Sequence, residues 1–279
     1  PGAGDSDNPY DAIPSALAAN FNTVYIRKTH RGFESAEAQT PLTATALAAA
    51  RHIKGFKKTR HGLQKRVNLG GDARTAQRYF AELLRAALTL QGVDVGAAVS
   101  WVEPSEGSAM KGGAETTNSH SPIYLHKNSR TLSEMVKPMM KYSTNFVANQ
   151  LALNLSADLL GAPASEAKVL LAYRQRLSEL FGWQNFHIED GAGLSRKNQL
   201  SPQQLIEVLE QFEPWRHLLP EIEPGVYAKS GTLIGVSTLA GYIKTESDWL
   251  PFALMLNEKV PYHYRNKLAH ELSQYYLTY

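Results

Sequence analysis

Three short β-prone runs follow one another near the C-terminus, at residues 225–231, 235–244 and 249–257. The gaps between them are too short for a helical crossover, so neighbouring runs must pair antiparallel. A helical stretch, 261–276, closes the chain, and helical patterns dominate its middle. That order fixes the expected class: α+β, an antiparallel sheet with helices packed on it.

The rest of the chain supplies those helices and a second set of strands. Residues 1–22 are rich in Gly, Asp, Asn and Pro and read as an irregular arm. Residues 21–28 (FNTVYIRK) alternate and predict a strand. Residues 43–50 are alanine-rich and helix-prone. The clearest helix is 72–91. Asp72 can cap it, Gly92 can end it, and Ala76, Phe80, Leu83, Leu84, Ala87 and Leu90 recur at helical spacing. Residues 93–102 predict a further strand, and 103–122 a turn-laden loop. Residues 132–155 are helical in pattern but broken near Pro138 and Tyr142. Two more helices are expected at 165–181 and 201–212, the second capped by Ser201 with Pro202 in its first turn.

Composition excludes several classes. The 279 residues are 43% hydrophobic and 20% charged, enough for one large domain or two small ones. The net charge of +3 is too small to imply a nucleic-acid partner. Cysteine is absent, which removes disulfides, thiol nucleophiles and thiolate metal sites, and suits an oxidising compartment. No uncharged apolar run is long enough to cross a membrane as a helix. The start at Pro1 rather than Met reads as a processed end, with sequence expected upstream. Residues 51–66 carry Arg51, Lys54, Lys57, Lys58, Arg60, Lys65 and Arg66. Their ordinary reading is a solvated loop or hairpin edge; the sharper one is a surface contact with an anionic polymer.

Two motifs carry chemistry. In Lys229-Ser230-Gly231-Thr232 the preceding apolar residues place the lysine on a strand. Gly231 permits close backbone approach, and Ser230 and Thr232 offer hydroxyls. Such a strand edge can bind an extended peptide and its terminal carboxylate. In Ser143-Thr144-Asn145 the polar residues interrupt a helical pattern, where Ser143 can relay a proton and Asn145 can hold a carbonyl. The ordinary reading of Ser143 is a helix N-cap. The order S-x-N then K-S-G matches the later two of the three motifs S-x-x-K, S-D-N and K-T-G that mark penicillin-binding proteins and class A β-lactamases.

The flanking text sharpens that match. Residues 124–153, 190–202 (DGAGLSRKNQLSP) and the run AKSGTL resemble low-molecular-mass, class C penicillin-binding proteins: serine D-Ala-D-Ala carboxypeptidases and endopeptidases of the S13 type. The resemblance is strongest over 120–279. It implies a β-lactamase/transpeptidase-like fold, here expected to be incomplete at the N-terminus. It divides the chain into an N-terminal portion, 1–115, and a transpeptidase-like region, 116–279. It implies an extracytoplasmic or periplasmic hydrolase acting on peptidoglycan stem peptides through an acyl-enzyme, open to β-lactams, with no metal or cofactor. Ser143, Asn145 and Lys229 would be catalytic, and Ser230, Gly231 and Thr232 would bind substrate.

The nucleophile is where the chain departs from the pattern. Ser108 with Lys111 has the S-x-x-K spacing, but glycines follow and no helix is expected. Ser165 with Lys168 lies after Ser143, in the wrong order. Residues 39–50 look like the nucleophile helix, but Gln39 and Leu42 stand where Ser and Lys belong. Two expectations remain: an S-x-x-K upstream of Pro1, or a non-catalytic pseudoenzyme or wall-binding module on the same fold. His120 and His126 lack the spacing of a zinc site, and His187 and Asp190 read as parts of a capped turn.

Overall fold

The computed structural model describes residues 6, 8–52, 61–96, 98–100 and 127–278. The chain divides into two compact units. One comprises residues 2–111 with 145–151; the other comprises 112–144 with 152–279, together with Pro1.

The first unit is built on a three-stranded antiparallel sheet in the order β2-β1-β3, with β1 at Thr23–Thr29, β2 at Gly32–Ser35 and β3 at Gln64–Asn68. Helices α1 (Ala44–His52) and α2 (Ala73–Leu90) cover it. Val24 and Ile26 of β1 point to one face and meet Val67, Ala46, Ala50, Ala76 and Tyr79 in a closed core. Asp72 caps α2, accepting from the amides of Arg74 (3.0 Å) and Thr75 (3.2 Å). The buried stripe of α2 centres on Ala76 and Tyr79, whereas Leu84 (50% exposed) and Leu90 (80%) lie outside it. The tyrosine, absent from an apolar count, fills the core with its ring while its hydroxyl accepts from Asn20 Nδ2 at 3.3 Å.

Two sequence expectations are corrected in this unit. The strand expected from Phe21 begins at Thr23, because Asn20, Phe21 and Asn22 all take positive φ in a short turn. The side chain of Asn22 locks that turn, donating to the Ile13 carbonyl (2.8 Å) and to Ser15 Oγ (2.9 Å). The described part of 93–102 forms no strand. The sheet takes its third strand from Gln64–Asn68 instead, within and just beyond the basic stretch. Arg66 there is half-buried: it pairs with Glu37, donates to Thr23 and lies over the Tyr25 ring.

The second unit carries the expected sheet. Four antiparallel strands run in the order β4-β5-β6-β7: Glu221–Glu223, Val226–Leu233, Val236–Lys244 and Trp249–Leu256. A two-residue turn joins β5 to β6, and Gly235 supplies its positive φ of 74°. On one face Val226, Ala228, Leu239, Ile243 and Phe252 bury Ala269 of the last helix. Fully burying a Val, Leu or Ile contributes about 1.5–3 kcal/mol each. On the other face Tyr242, with Tyr227, Ala240 and Trp249, packs against Leu209 and Leu219. Tyr242 donates its hydroxyl to the Leu209 carbonyl, and burial pushes its pKa up to about 12.

The helices of this unit are α3 (Leu132–Tyr142), α4 (Asn145–Leu160, whose first turns belong to the other unit), α5 (Glu166–Phe181), α6 (Pro202–Phe212) and α7 (Tyr264–Thr278). Ser201 and Gln204 form the capping box of α6. Pro138 sits inside α3, so the break in the 132–155 pattern falls after Tyr142 rather than at the proline.

Candidate active site

The break between α3 and α4 is made by Ser143 itself. It ends α3 in the left-handed conformation, φ 52° and ψ 54°, with its N–H donating to the Met139 carbonyl. A non-glycine residue there costs roughly 1–2 kcal/mol, so something must hold it. Thr144, not Ser143, is the N-cap of α4, and it makes no side-chain cap bond. The ordinary N-cap reading of Ser143 is therefore corrected: its hydroxyl is free of the backbone and accepts from Lys229 Nζ on β5.

Lys229 is half-buried on its strand. Its ammonium donates to Ser143 Oγ and to the Ser230 carbonyl (2.6 Å). Burial lowers its pKa below the ordinary lysine value, and the charge of Arg265 adds to the effect. Among the described residues no strand pairs with the edge beyond it. Strand β4 pairs with β5 only at Val226 and Tyr227, and the Ala228 amide then donates to the Pro220 carbonyl. Backbone groups two residues apart share a side in an antiparallel strand, so the Ser230 and Thr232 amides lie on that same edge past the end of β4. Such an edge can take an extended peptide, and its amides can stabilise an oxyanion.

Gly231 has a local reason of its own. It pairs with Thr238 across β5 and β6, and a Cβ at this position would fall 2.4 Å from Thr238 Oγ1. Thr232 is held from behind by α7. Arg265 Nη1 donates to the Gly231 carbonyl (2.7 Å), Thr232 Oγ1 (2.7 Å) and Ser237 Oγ (3.3 Å). Sequence reasoning missed Arg265. One signal was legible: a cation in the first turn of a helix opposes the helix dipole, so it needs a partner elsewhere.

The DGAGLSRKN loop is fixed by two carboxylates. Buried Asp190 accepts from the amides of Gly193 (3.2 Å), Leu194 (2.7 Å) and Ser195 (3.2 Å) and from Asn198 Nδ2 (2.7 Å). Glu189 accepts from Ser195 Oγ (2.8 Å), pairs with His187 Nε2 (2.9 Å) and contacts Lys197 Nζ (3.3 Å). The His187 and Ser195 hydrogen bonds hold the Glu189 pKa down at about 2. Between them, Arg196 reaches out and donates to the Ile234 carbonyl at 2.9 Å, tying this loop to the β5–β6 turn.

Of the residues singled out from sequence, Ser143, Lys229, Ser230, Gly231 and Thr232 all fall in one unit, with Ser143 and Lys229 in contact. Asn145 opens α4 within the other unit, and its amide nitrogen donates to the Tyr10 carbonyl at 3.3 Å. Ser165 is the N-cap of α5, and Lys168 donates to the Gly161 and Pro163 carbonyls, so that pair is structural. Residues 39–50 form the approach to α1 and most of that helix, which packs on the sheet of the first unit. Ser108, Lys111, His120, His126 and residues 53–60 of the basic stretch lie outside the described residues.

The family model of D-Ala-D-Ala carboxypeptidase 3 (S13) matches residues 3–223 of the chain. The chain belongs to the S13 family. That match takes in Ser143 and Asn145 and ends just before β5. Among relatives, a D-alanyl-D-alanine carboxypeptidase of Actinomadura sp. (strain R39) is 26% identical over 61% of this chain and 37% of its own length. The D-alanyl-D-alanine carboxypeptidase DacB of Haemophilus influenzae is 31% identical over 41% of this chain and 29% of its own. The chain thus spans roughly a third of the relatives it matches. The crystal structure of penicillin binding protein 4 (dacB) from Haemophilus influenzae shares the fold, with a TM-score of 0.65 at 17% identity over 96% of this chain and 70% of that one. The same protein complexed with a novel β-lactam gives 0.56 at 20% identity, over 78% and 53%. The S13 fold accounts for the α+β architecture and the antiparallel sheet flanked by helices.

Proposed function

We propose that this chain forms the S-x-N and K-S-G part of a serine D-Ala-D-Ala carboxypeptidase or endopeptidase that acts on peptidoglycan stem peptides outside the cytoplasmic membrane. The observation that carries the proposal is the contact between Lys229 Nζ and Ser143 Oγ, which joins the two motifs into one proton-transfer and anion-binding cluster. Membership of the S13 family supplies the substrate class. The β-lactam bound to the Haemophilus influenzae protein supports β-lactams as ligands here as well.

In this reading residues 116–279 are the transpeptidase-like region. A serine hydroxyl of an S-x-x-K pair outside the described residues attacks the carbonyl carbon between the two D-alanines. Ser143, with Lys229 behind it, carries the proton to the departing amine as the C–N bond breaks. The Thr232 amide on the β5 edge that no described strand pairs with steadies the oxyanion. Water then cleaves the ester, returning the serine and releasing the shortened peptide. Asn145, two residues from Ser143, orients the peptide. None of the described helices is long and apolar enough to cross a membrane.

Incubating the protein with a labelled penicillin tests the reading. Mass spectrometry should find the adduct on a serine three residues before a lysine. No adduct on any serine would leave a binding protein on the same fold rather than an enzyme.

A further inference from the structure

We infer that Arg265 is the positioning residue that makes this site selective for ligands bearing a carboxylate next to the scissile amide. The inference deepens the functional reading above and rests on it for the identity of the ligand.

The argument begins with charge. Arg265 is only 7% exposed, and Lys229 is half-buried. Among the described residues neither forms an ion pair with a carboxylate. Two sequestered cations therefore bracket Gly231 and Thr232 with no counter-ion, which is costly unless an anion arrives to pair with them. The Nε of Arg265 is buried without a partner as well. Ala269, one turn further on, buries against the sheet by apolar contact. A helix of this kind would be more stable with a neutral or acidic residue in its first turn.

The geometry then says what the cation does. Arg265 Nη1 donates to Thr232 Oγ1 at 2.7 Å, so that hydroxyl oxygen is occupied as an acceptor and its own hydrogen is turned away from α7. The same nitrogen holds the Gly231 carbonyl and Ser237 Oγ, fixing the strand end on which Thr232 sits. The result is an oriented hydroxyl donor backed by a full positive charge, on the strand edge where the peptide terminus would lie. A carboxylate accepts from the hydroxyl and is attracted by the charge behind it, whereas a terminal amide offers only a weak neutral acceptor. The charge of Arg265 is also felt at Lys229.

The test is a binding measurement on the protein that needs no turnover. An acyl-D-Ala-D-Ala peptide and its C-terminal amide are titrated calorimetrically against wild type, Arg265→Gln, Arg265→Lys and Thr232→Val, with melting curves for each. Wild type should favour the carboxylate. Arg265→Gln should lower that preference about 10- to 100-fold, the scale of a lost charge-assisted hydrogen bond. Arg265→Lys keeps a cation but cannot grip three acceptors, and should lower it about threefold or more. Adding Arg265→Gln to Thr232→Val should cost less than the product of the two single effects. An unchanged carboxylate-to-amide ratio in either folded arginine variant overturns the inference. Penicillin labelling of the same wild-type sample reports separately on catalysis, so an unlabelled protein that still discriminates leaves Arg265 in place and removes only the enzymatic reading.

Discussion

Lys229 and Gly231 sit two residues apart and are constrained by different neighbours. The pKa of Lys229 is lowered, so its charge is present below that lowered value and is lost as pH rises through it, before an ordinary lysine would titrate. Affinity for an anionic β-lactam should accordingly begin to fall at a pH below the usual lysine range. In Lys229→Arg the fall should disappear over the same range, because a guanidinium stays charged. Parallel alkaline declines in both proteins would assign the titration to another group. For Gly231 the constraint is steric. Gly231→Ala should cost about 1–3 kcal/mol by crowding Thr238, and Thr238→Ala should restore most of it. Urea unfolding of the two single variants and the double decides this; additive losses would mean the glycine is needed for its backbone alone.

The elements show which signals a sequence displays openly. Helices α2, α5 and α6 were legible from periodicity and their caps, and β5, β6 and β7 from composition and spacing. Asp72→Ala, which leaves two first-turn amides of α2 without their acceptor, should cost about 0.5–2 kcal/mol in denaturant unfolding. Less readable were features decided by distant partners. Residues 93–102 have strand composition, but a strand exists only beside another, and the described part of that run pairs with none. Ser143 looked like a helix cap because local rules favour that use, and only Lys229, far along the chain, claims its hydroxyl instead. Arg265 was hidden for the same reason, since its three acceptors lie on β5 and β6. Its place in a first helical turn was the one local hint.

Across the molecule, order is distributed unevenly, and this bears on the site. Each unit closes its own core on its own sheet. Helix α3, which ends in Ser143, buries no residue completely; Met140 alone links it to the Leu209, Leu219 and Tyr242 cluster. Local opening free energies follow buried contacts, so the α3 amides should exchange with deuterium faster than those of β5 and β6. Met140→Ala should widen that gap and leave the strands as they were. A serine on a helix that opens is within reach of its lysine for only part of the time. The apparent dissociation constant of any ligand needing both is the intrinsic one divided by that fraction. The anchoring of α3 would thus work as a gain control: Met140, packed away from Ser143 in the Leu209, Leu219 and Tyr242 cluster, would set how often Ser143 and Lys229 are paired, and weakening it would mimic a poorer ligand.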